Sequence, residues 1–127
     1  MDTIEVAGLW STVPQLYAGI REALAAHAEA VGCHLSHLYR SGSSLYFTFL
    51  VRGSDDRDAE AHYLAAWDQA ARSCATVGGT LTHHHGVGRL KSRFLAMELG
   101  ETGVDVLTRI KTALDPGAIM NPRVLLP

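Results

Sequence analysis

Apolar residues recur with the period of an amphipathic helix in two stretches of the chain. The first predicted helix begins at Thr12, where Thr12 and Gln15 have capping-box spacing, and ends at Gly32. Its apolar stripe consists of Leu16, Ile20, Leu24, Ala28 and Val31. The second helix is predicted over 58–77, with acidic residues at its start and Gly78 after its end. Its apolar positions are Tyr63, Trp67, Ala70, Cys74 and Val77.

Alternation of apolar and polar residues predicts short strands around these helices. They are expected at 3–9, 33–40, 44–52 and 80–82. The middle two would form a hairpin whose turn, Ser41-Gly42-Ser43, offers a glycine for a positive φ. The predicted core face of the strand over 44–52 consists of Leu45, Phe47, Phe49 and Val51. Tyr46 and Thr48 then point to the opposite face.

The resulting order, β-α-β-β-α-β, is that of a ferredoxin-like α+β unit. Its helices cover one face of an antiparallel sheet and leave the other face open. Two further helices are predicted at 94–99 and 104–114, the second ended by Asp115-Pro116. The apolar tail 119–126 has no periodicity and is expected to lie extended. We expect 1–127 to form a single domain, because a chain of 127 residues suffices for one sizeable core.

Composition and charge narrow the function classes. With 47% hydrophobic and 19% charged residues, the chain has the composition of a globular protein. A net charge of −2 provides no basic field, so nucleic acid is not expected as a partner. The start of the chain lacks an export-signal pattern and no apolar stretch is long enough to span a bilayer, which predicts a cytoplasmic protein without a transmembrane segment. Cys33 and Cys74 are therefore expected to be reduced.

Three consecutive histidines, the histidine triplet His83, His84 and His85, are the most unusual feature of the sequence. Imidazoles titrate near neutrality and can donate, accept or bind metal. No Cys-x-x-Cys or His-Glu-x-x-His motif accompanies the triplet, so no metal ligand is assigned. A catalytic loop, a metal-binding loop and a merely polar loop are the alternatives, of which the catalytic one is favoured.

Residues near the triplet and on the third strand suggest ligand contacts. Gly86 and Gly88 allow a backbone to approach a ligand closely, although two glycines alone do not make a dinucleotide fingerprint. Arg89 and Lys91 belong to a basic cluster that either binds an anionic substrate group or forms a solvated face. Tyr46 either packs as a strand tyrosine or acts in acid–base chemistry, if neighbouring cations lower its pKa.

The run 81–91 resembles the signature loop of the FAD-linked oxidases of the vanillyl-alcohol-oxidase type, and most closely that of their alkyldihydroxyacetonephosphate-synthase branch and its bacterial relatives. Further similar segments, in the family's order, are Trp10-Ser11, the hairpin residues 43–49, Leu114-Asp115-Pro116 and 119–122. They cover nearly the whole chain and correspond to the family's C-terminal cap domain. The resemblance therefore implies that the chain is a fragment of a larger enzyme.

The resemblance also implies a function that depends on FAD. FAD would be bound mainly by an upstream domain that is absent from the chain, so that domain is an expected partner and the fragment alone is expected to be inactive. In the synthase branch the implied reaction replaces an acyl group by a long-chain alcohol at the flavin. Tyr46 would act as its acid–base group, and the histidine triplet would line the same catalytic site. Cofactor-binding positions are expected at Gly86, Gly88 and Asn121, and substrate-binding positions at Arg89 and Lys91.

Two departures from the family pattern leave alternatives open. Related enzymes that oxidise D-2-hydroxy acids carry Glu-His-Gly in the loop, where this chain has His84 before His85-Gly86. Arg123 stands where a glycine commonly follows Asn-Pro. The alternatives are the cap domain of an FAD-dependent D-2-hydroxy-acid dehydrogenase or oxidase, and a non-catalytic ferredoxin-like module that binds a small molecule. Homodimerisation is left open as well.

Overall fold

The structure, a computed structural model, describes residues 1–126. These residues fall into two compact units, Met1–His84 and a second that begins at His85. Residues 1–84 form β1 (Asp2–Leu9), α1 (Val13–Ala25), β2 (Ala30–Ser36), β3 (Gly42–Leu50) and α2 (Asp56–Thr76). The second unit contains a 3₁₀ turn at Ser92–Phe94 and the helix α3 (Leu95–Leu114). The expectation of one domain over 1–127 stays a prediction.

Within residues 1–84, the strands form one antiparallel sheet in the order β1-β3-β2. The central strand β3 pairs with both others, so Tyr46 lies between Glu5 and His34 across the sheet. Thr80 adds a single antiparallel bridge at the outer edge of β1, through two backbone hydrogen bonds with Ala7 of 3.0 and 2.9 Å. The α+β class is confirmed, and this order is consistent with the predicted ferredoxin-like unit.

The predicted strand at 80–82 is reduced to that one bridge. The backbone N–H of Thr82 donates to the Thr80 hydroxyl at 3.3 Å, which turns the chain away from the edge of β1. His83 and His84 therefore meet Glu5 instead of extending the sheet.

The core of the first unit lies between the sheet and its two helices. The rings of Phe47 and Tyr17 stack at 6.1 Å, as do those of Phe49 and Tyr63, so α1 and α2 contact the same sheet face. Buried core residues include Ile4, Val6, Leu16, Ile20, Leu24, Leu45, Trp67 and Cys74. The predicted core face of β3 is confirmed, except that Val51 lies beyond the end of the strand.

The first helix ends earlier than the periodicity predicts. α1 ends at Ala25 rather than at Gly32. The cause is tertiary, because the backbone N–H of Glu29 donates to the Leu50 carbonyl at 2.9 Å and begins the pairing of β2 with β3. The last two positions of the predicted apolar stripe therefore lie outside the helix.

Two predictions of local backbone structure are wrong. The capping box does not form, because the Thr12 hydroxyl donates to the Leu9 carbonyl at 3.0 Å. The hairpin turn lies before Gly42, and the residue with a positive φ in it is His37, at 51°. Gly42 belongs to β3, where a Cβ would come within 2.0 Å of the Gly8 carbonyl oxygen. Glycine is thus needed there for close strand pairing.

In the second unit the two predicted helices are confirmed as the parts of α3 on either side of Gly100, which has φ 69° and ψ 166°. Asp115 ends α3, as predicted, and its carboxylate pairs with Lys111. The same carboxylate accepts hydrogen bonds of 3.1 and 3.0 Å from two backbone N–H groups of the tail. These bonds fold the tail into turns, so the expectation of an extended tail is wrong.

The positions of the two cysteines and the lengths of the helices bear on two further expectations. Cys33 on β2 and Cys74 on α2 are not joined by a disulfide, as expected. Among residues 1–126, no helix is both long enough and apolar enough to cross a membrane.

Candidate active site

The sheet face opposite α1 and α2, called the open face below, carries a row of polar side chains. Side chains alternate along a strand, so the residues next to Phe47 and Ile4 point away from the helices. They include Glu5 on β1 and Tyr46 on β3, which are direct cross-strand partners. His34 pairs with Tyr46 from β2, and their rings stack at a centroid distance of 5.2 Å. A carboxylate, a phenol and an imidazole thus form one row across the sheet.

Glu5 is fully buried although it lies on the open face. Its Oε1 lies 3.0 Å from Nδ1 of His83, and its Oε2 accepts a hydrogen bond of 3.1 Å from the backbone N–H of His84. Burial raises the pKa of the Glu5 carboxyl, but hydrogen bonds from His84, His83 and Ser44 outweigh burial and leave this pKa below its ordinary value. Glu5 is therefore ionised at neutral pH.

Ser44 on β3 completes the surroundings of Glu5. Its Oγ lies 2.9 Å from Nδ1 of His83, the same nitrogen that faces Glu5. A nucleophilic Ser-His-acid relay needs the serine and the carboxylate at opposite nitrogens of the ring. These three residues therefore do not form such a relay, and Ser44 acts as a hydrogen-bonding residue.

Four imidazoles on the open face, His34, His37, His83 and His84, form a histidine cluster that extends from Glu5 to Tyr46. The His37 ring lies 4.1 Å from the His84 ring and 6.0 Å from the Tyr46 ring, measured between centroids. The rings of His83 and His84 lie 3.9 Å apart, and the Tyr39 hydroxyl is 3.2 Å from Nε2 of His84. The structure thus brings Tyr46 together with the first two histidines of the triplet through His37.

Tyr46 is half-buried, and its surroundings disfavour the ionised phenolate. Burial raises the pKa of Tyr46, and the neighbouring acidic groups Glu5 and Tyr39 raise it further. The sequence-based hypothesis required cations that lower this pKa, and the structure shows a shift in the opposite direction. Tyr46 is therefore protonated at neutral pH and is suited to donating a hydrogen bond or a proton.

Glu5, His83 and His84 also have the donor set of a metal site. Their ligand atoms lie within 4.8 Å of one another, and two imidazoles with one carboxylate are a known zinc-binding set. Hydrogen bonds account for the same short distances. The expectation that the chain binds no metal therefore stays a prediction.

The other predicted site residues lie in the second unit. His85 is its first residue and is exposed. Gly86 and Gly88 have positive φ values of 65° and 60°, and among the described residues no atom lies within 4 Å of where a Cβ would be. The backbone of this loop is thus open to a ligand. Arg89 is exposed, whereas Lys91 is buried, with 6% of its surface accessible.

The tail folds back onto this loop within the second unit. The backbone N–H of Leu125 donates to the Gly88 carbonyl at 3.0 Å. Asn121 lies in the same tail, is exposed and has a positive φ of 45°. The predicted cofactor-binding positions are therefore parts of one unit.

A cavity of about 320 Å³ lies between α3 and the tail. Its lining is mainly apolar, with Leu107, Ile110 and Met120 among the contributors, and includes the charged pair Lys111 and Asp115. The sequence did not predict this cavity. Its size and lining suit an apolar group.

Residues 1–125 match the family described as FAD linked oxidases, C-terminal domain. The chain belongs to this family. The resemblance seen in the histidine loop is thus confirmed over almost the whole sequence.

Three relatives of this FAD-linked oxidase domain illustrate its similarity to known enzymes. The alkyldihydroxyacetonephosphate synthase of Trypanosoma brucei brucei is 40% identical over 97 residues, which are 76% of this chain and 16% of that protein. The synthase of Dictyostelium discoideum is 28% identical over 133 residues, which cover 100% of this chain and 22% of that protein. The mitochondrial D-lactate dehydrogenase [cytochrome] 1 of Saccharomyces cerevisiae is 35% identical over 82 residues, which cover 65% of this chain and 14% of that protein. The chain thus spans less than a quarter of each relative's length.

Sequence reasoning about this domain missed several residues of the site. They are Glu5, His34, His37, Tyr39 and Ser44. Glu5 did give a local signal, because a carboxylate between Ile4 and Val6 in an apolar strand is buried only when it has partners. Those partners lie 78 and 79 residues further along the chain, and only the fold shows which residues they are.

Proposed function

We propose that the chain is the cap domain of an FAD-dependent enzyme similar to alkyldihydroxyacetonephosphate synthase. The cap covers the flavin, and Tyr46 with the histidine cluster exchanges protons with the substrate. The observation that carries this proposal is the buried Glu5 carboxylate, which holds His83 and His84 on the open face, where His37 links them to Tyr46. Membership of the family and the 40% identity to the Trypanosoma synthase support it.

The residues of the chain fit FAD as a shared ligand. The loop at Gly86 and Gly88 leaves space beside its backbone, and Asn121 is exposed in the same unit. The sequence contains no G-x-G-x-x-G fingerprint, so we assign the main FAD contacts to another domain of the same polypeptide. When bound, FAD supplies the electron-accepting ring against which the cap places its substrate.

Different residues of the chain accept and donate protons in the proposed reaction. Removing a proton beside a carbonyl requires a base, and a neutral imidazole of the cluster accepts that proton. The ionised Glu5 stabilises the imidazolium that results. Tyr46 donates to the oxygen on which negative charge develops, because its raised pKa keeps the hydroxyl protonated. The rings of His34 and His37 pack beside Tyr46 and orient it.

The cavity in the second unit favours an alkyl-bearing substrate. An alkyl group needs an apolar wall, which the cavity of about 320 Å³ offers. A small D-2-hydroxy acid has no such requirement. Oxidation of a hydroxy acid is nevertheless the second candidate, because a D-lactate dehydrogenase is among the relatives.

The test is Tyr46→Phe in the full-length enzyme, with Tyr17→Phe as the matched control. Tyr46→Phe removes one hydroxyl and almost no volume, so flavin content and folding should not change. Loss of a positioned proton donor should lower turnover by roughly 100- to 10,000-fold. Tyr17 packs on Phe47 from α1, on the other face of the sheet, so its variant should keep full activity.

Two assays distinguish the two candidate reactions. Exchange of an acyl group for an alcohol without net flavin reduction supports the synthase-like reaction, whereas substrate-dependent bleaching of the flavin supports oxidation. Normal turnover of Tyr46→Phe in both assays would contradict the role proposed for Tyr46.

A further inference from the structure

We propose that Glu5 is a positioning residue that keeps a proton on Nδ1 of His83, and that Nε2 of His83 is therefore the atom that exchanges protons at this site. The catalytic part of this inference rests on the proposed function. The structural part does not, because it concerns only the proton arrangement inside the first unit.

The hydrogen bonds of Glu5 determine where the His83 ring carries its hydrogen. An ionised carboxylate only accepts hydrogen bonds, and the backbone N–H of His84 occupies Oε2 at 3.1 Å. Oε1 lies 3.0 Å from Nδ1 of His83. A lone pair on that nitrogen would face a negative oxygen inside a buried site. Nδ1 must therefore carry a hydrogen, in the neutral ring as well as in the imidazolium.

Ser44 is compatible with this arrangement. Its hydroxyl, 2.9 Å from Nδ1 of His83, accepts a share of the Nδ1 hydrogen while donating its own hydrogen to Glu5. The carboxylate then accepts from Nδ1 of His83, from the Ser44 hydroxyl and from the backbone N–H of His84. A proton on Nε2 alone would instead leave Nδ1 and Glu5 as two facing acceptors.

The two histidines differ in what remains available to a substrate. Nδ1 of His84 lies 3.5 Å from Glu5 and its Nε2 lies 3.2 Å from the Tyr39 hydroxyl, so both of its ring nitrogens have neighbours. Among residues 1–126, no hydrogen-bond partner is found for Nε2 of His83, whose side chain is 27% exposed. With Nδ1 protonated, Nε2 of the neutral ring is an acceptor. His83 is thus the base of the pair, and His84 is held in place by Tyr39 and Glu5.

Glu5 is well placed to fix the ring. It lies in the middle of β1 between Ile4 and Val6, which are both fully buried, so its backbone cannot shift easily. Ser44, the other neighbour of Nδ1 of His83, lies on β3, which pairs directly with β1. Rigid strands on both sides preorganise the imidazole in one tautomer.

The test uses ¹⁵N-histidine NMR of the full 127-residue chain, at a pH where the imidazoles are neutral. Long-range ¹H–¹⁵N correlations distinguish a protonated Nδ1 from a protonated Nε2. We expect His83 to carry its hydrogen on Nδ1 in the wild type and to become a mixture of tautomers in Glu5→Gln. Ser44→Ala is the control that removes the second neighbour of Nδ1 and keeps the carboxylate, so it should retain the Nδ1 proton.

Two outcomes of the tautomer measurement itself would overturn the positioning role. One is a wild-type His83 that carries its hydrogen on Nε2, a result that decides the matter even if Glu5→Gln does not fold. The other is an unchanged tautomer in folded Glu5→Gln. Signals that depend on added Zn²⁺ and disappear with a chelator would also overturn it, because they would make Nδ1 a metal ligand.

Activity of the full-length enzyme separates this inference from the proposed function. If Glu5→Gln changes the tautomer and also lowers turnover by roughly 100-fold or more, both are supported. If the tautomer changes while turnover stays normal, Glu5 positions His83 but the proposed proton chemistry is wrong. Glu5→Asp, which keeps the charge, should restore part of the Nδ1 preference and part of the turnover.

Discussion

At the scale of single residues, the buried Glu5 carboxylate links the stability of the first unit to pH. Its pKa in the folded chain lies below the ordinary value of 4.5, so the folded state binds a proton less readily than the unfolded state. Its contribution to stability is therefore complete above about pH 4.5 and is lost as the pH falls through the folded-state pKa.

We expect Glu5→Gln to be less stable than the wild type at pH 7, by about 1–3 kcal/mol, because hydrogen bonds to a buried charge are weakened. This difference in the free energy of unfolding should shrink as the pH falls below about 4.5 and through the lower folded-state pKa of Glu5. Urea unfolding at several pH values measures it, with the exposed Glu60→Gln as control. A difference that stays constant with pH would mean that Glu5 is not ionised in the folded chain.

The two cysteines give a second test at this scale. Burial raises the pKa of the Cys33 thiol to about 11, and Cys74 is fully buried. Since the thiolate is the reactive form, both should react slowly with a thiol reagent at neutral pH and rapidly after unfolding in urea. Alkylation of Cys33 should accelerate as the pH approaches 11. A fast-reacting thiol in the folded chain at pH 7 would contradict this assignment.

At the scale of elements, local patterns predicted what local interactions determine. The alternation in β3 correctly predicted that Leu45, Phe47 and Phe49 face the core, because a strand's two faces follow from its period alone. The end of α1 was not predictable in this way, because it is set by the pairing of Glu29 with Leu50 across the sheet. Tertiary pairing outweighed the helical pattern there.

Two glycines of the sheet test the role of close strand pairing. At Gly42 a Cβ would lie 2.0 Å from the Gly8 carbonyl oxygen, and backbone atoms cannot move aside without breaking the pairing of β1 with β3. Gly42→Ala should therefore destabilise the chain by about 1–3 kcal/mol. At Gly32 on β2 nothing among the described residues lies within 4 Å of the added Cβ.

Gly32→Ala is the matched control. It should be neutral or stabilising by up to about 1 kcal/mol, because alanine loses less conformational entropy than glycine on folding. Urea midpoints of both variants provide the comparison. Equal effects of the two substitutions would show that backbone entropy, rather than the contact with Gly8, determines the requirement for glycine at position 42.

At the scale of the whole molecule, the site depends on topology that the sequence does not display. The histidine triplet was recognisable as an unusual run, but its partner Glu5 lies 78 residues before His83. The antiparallel bridge between Ala7 and Thr80 places the segment that follows α2 beside β1, and the turn at Thr82 then directs the two histidines to the carboxylate. The histidines were thus recognisable from the local sequence, whereas the buried carboxylate that contacts them was not.

Without the rest of the polypeptide, the chain is expected to fold but to bind little or no FAD. The match to the Trypanosoma synthase covers 16% of that protein, and the chain has only Gly86 and Gly88 in place of a dinucleotide fingerprint. Because the main FAD contacts are assigned to another domain, we expect the purified chain to be colourless. Titration with FAD should quench little flavin fluorescence, although circular dichroism should show a folded α+β protein. The full-length enzyme, purified in the same way, should be yellow and contain stoichiometric flavin. Stoichiometric flavin on the isolated chain would contradict the assignment of the main FAD contacts to another domain and would move the cofactor site to residues 85–126.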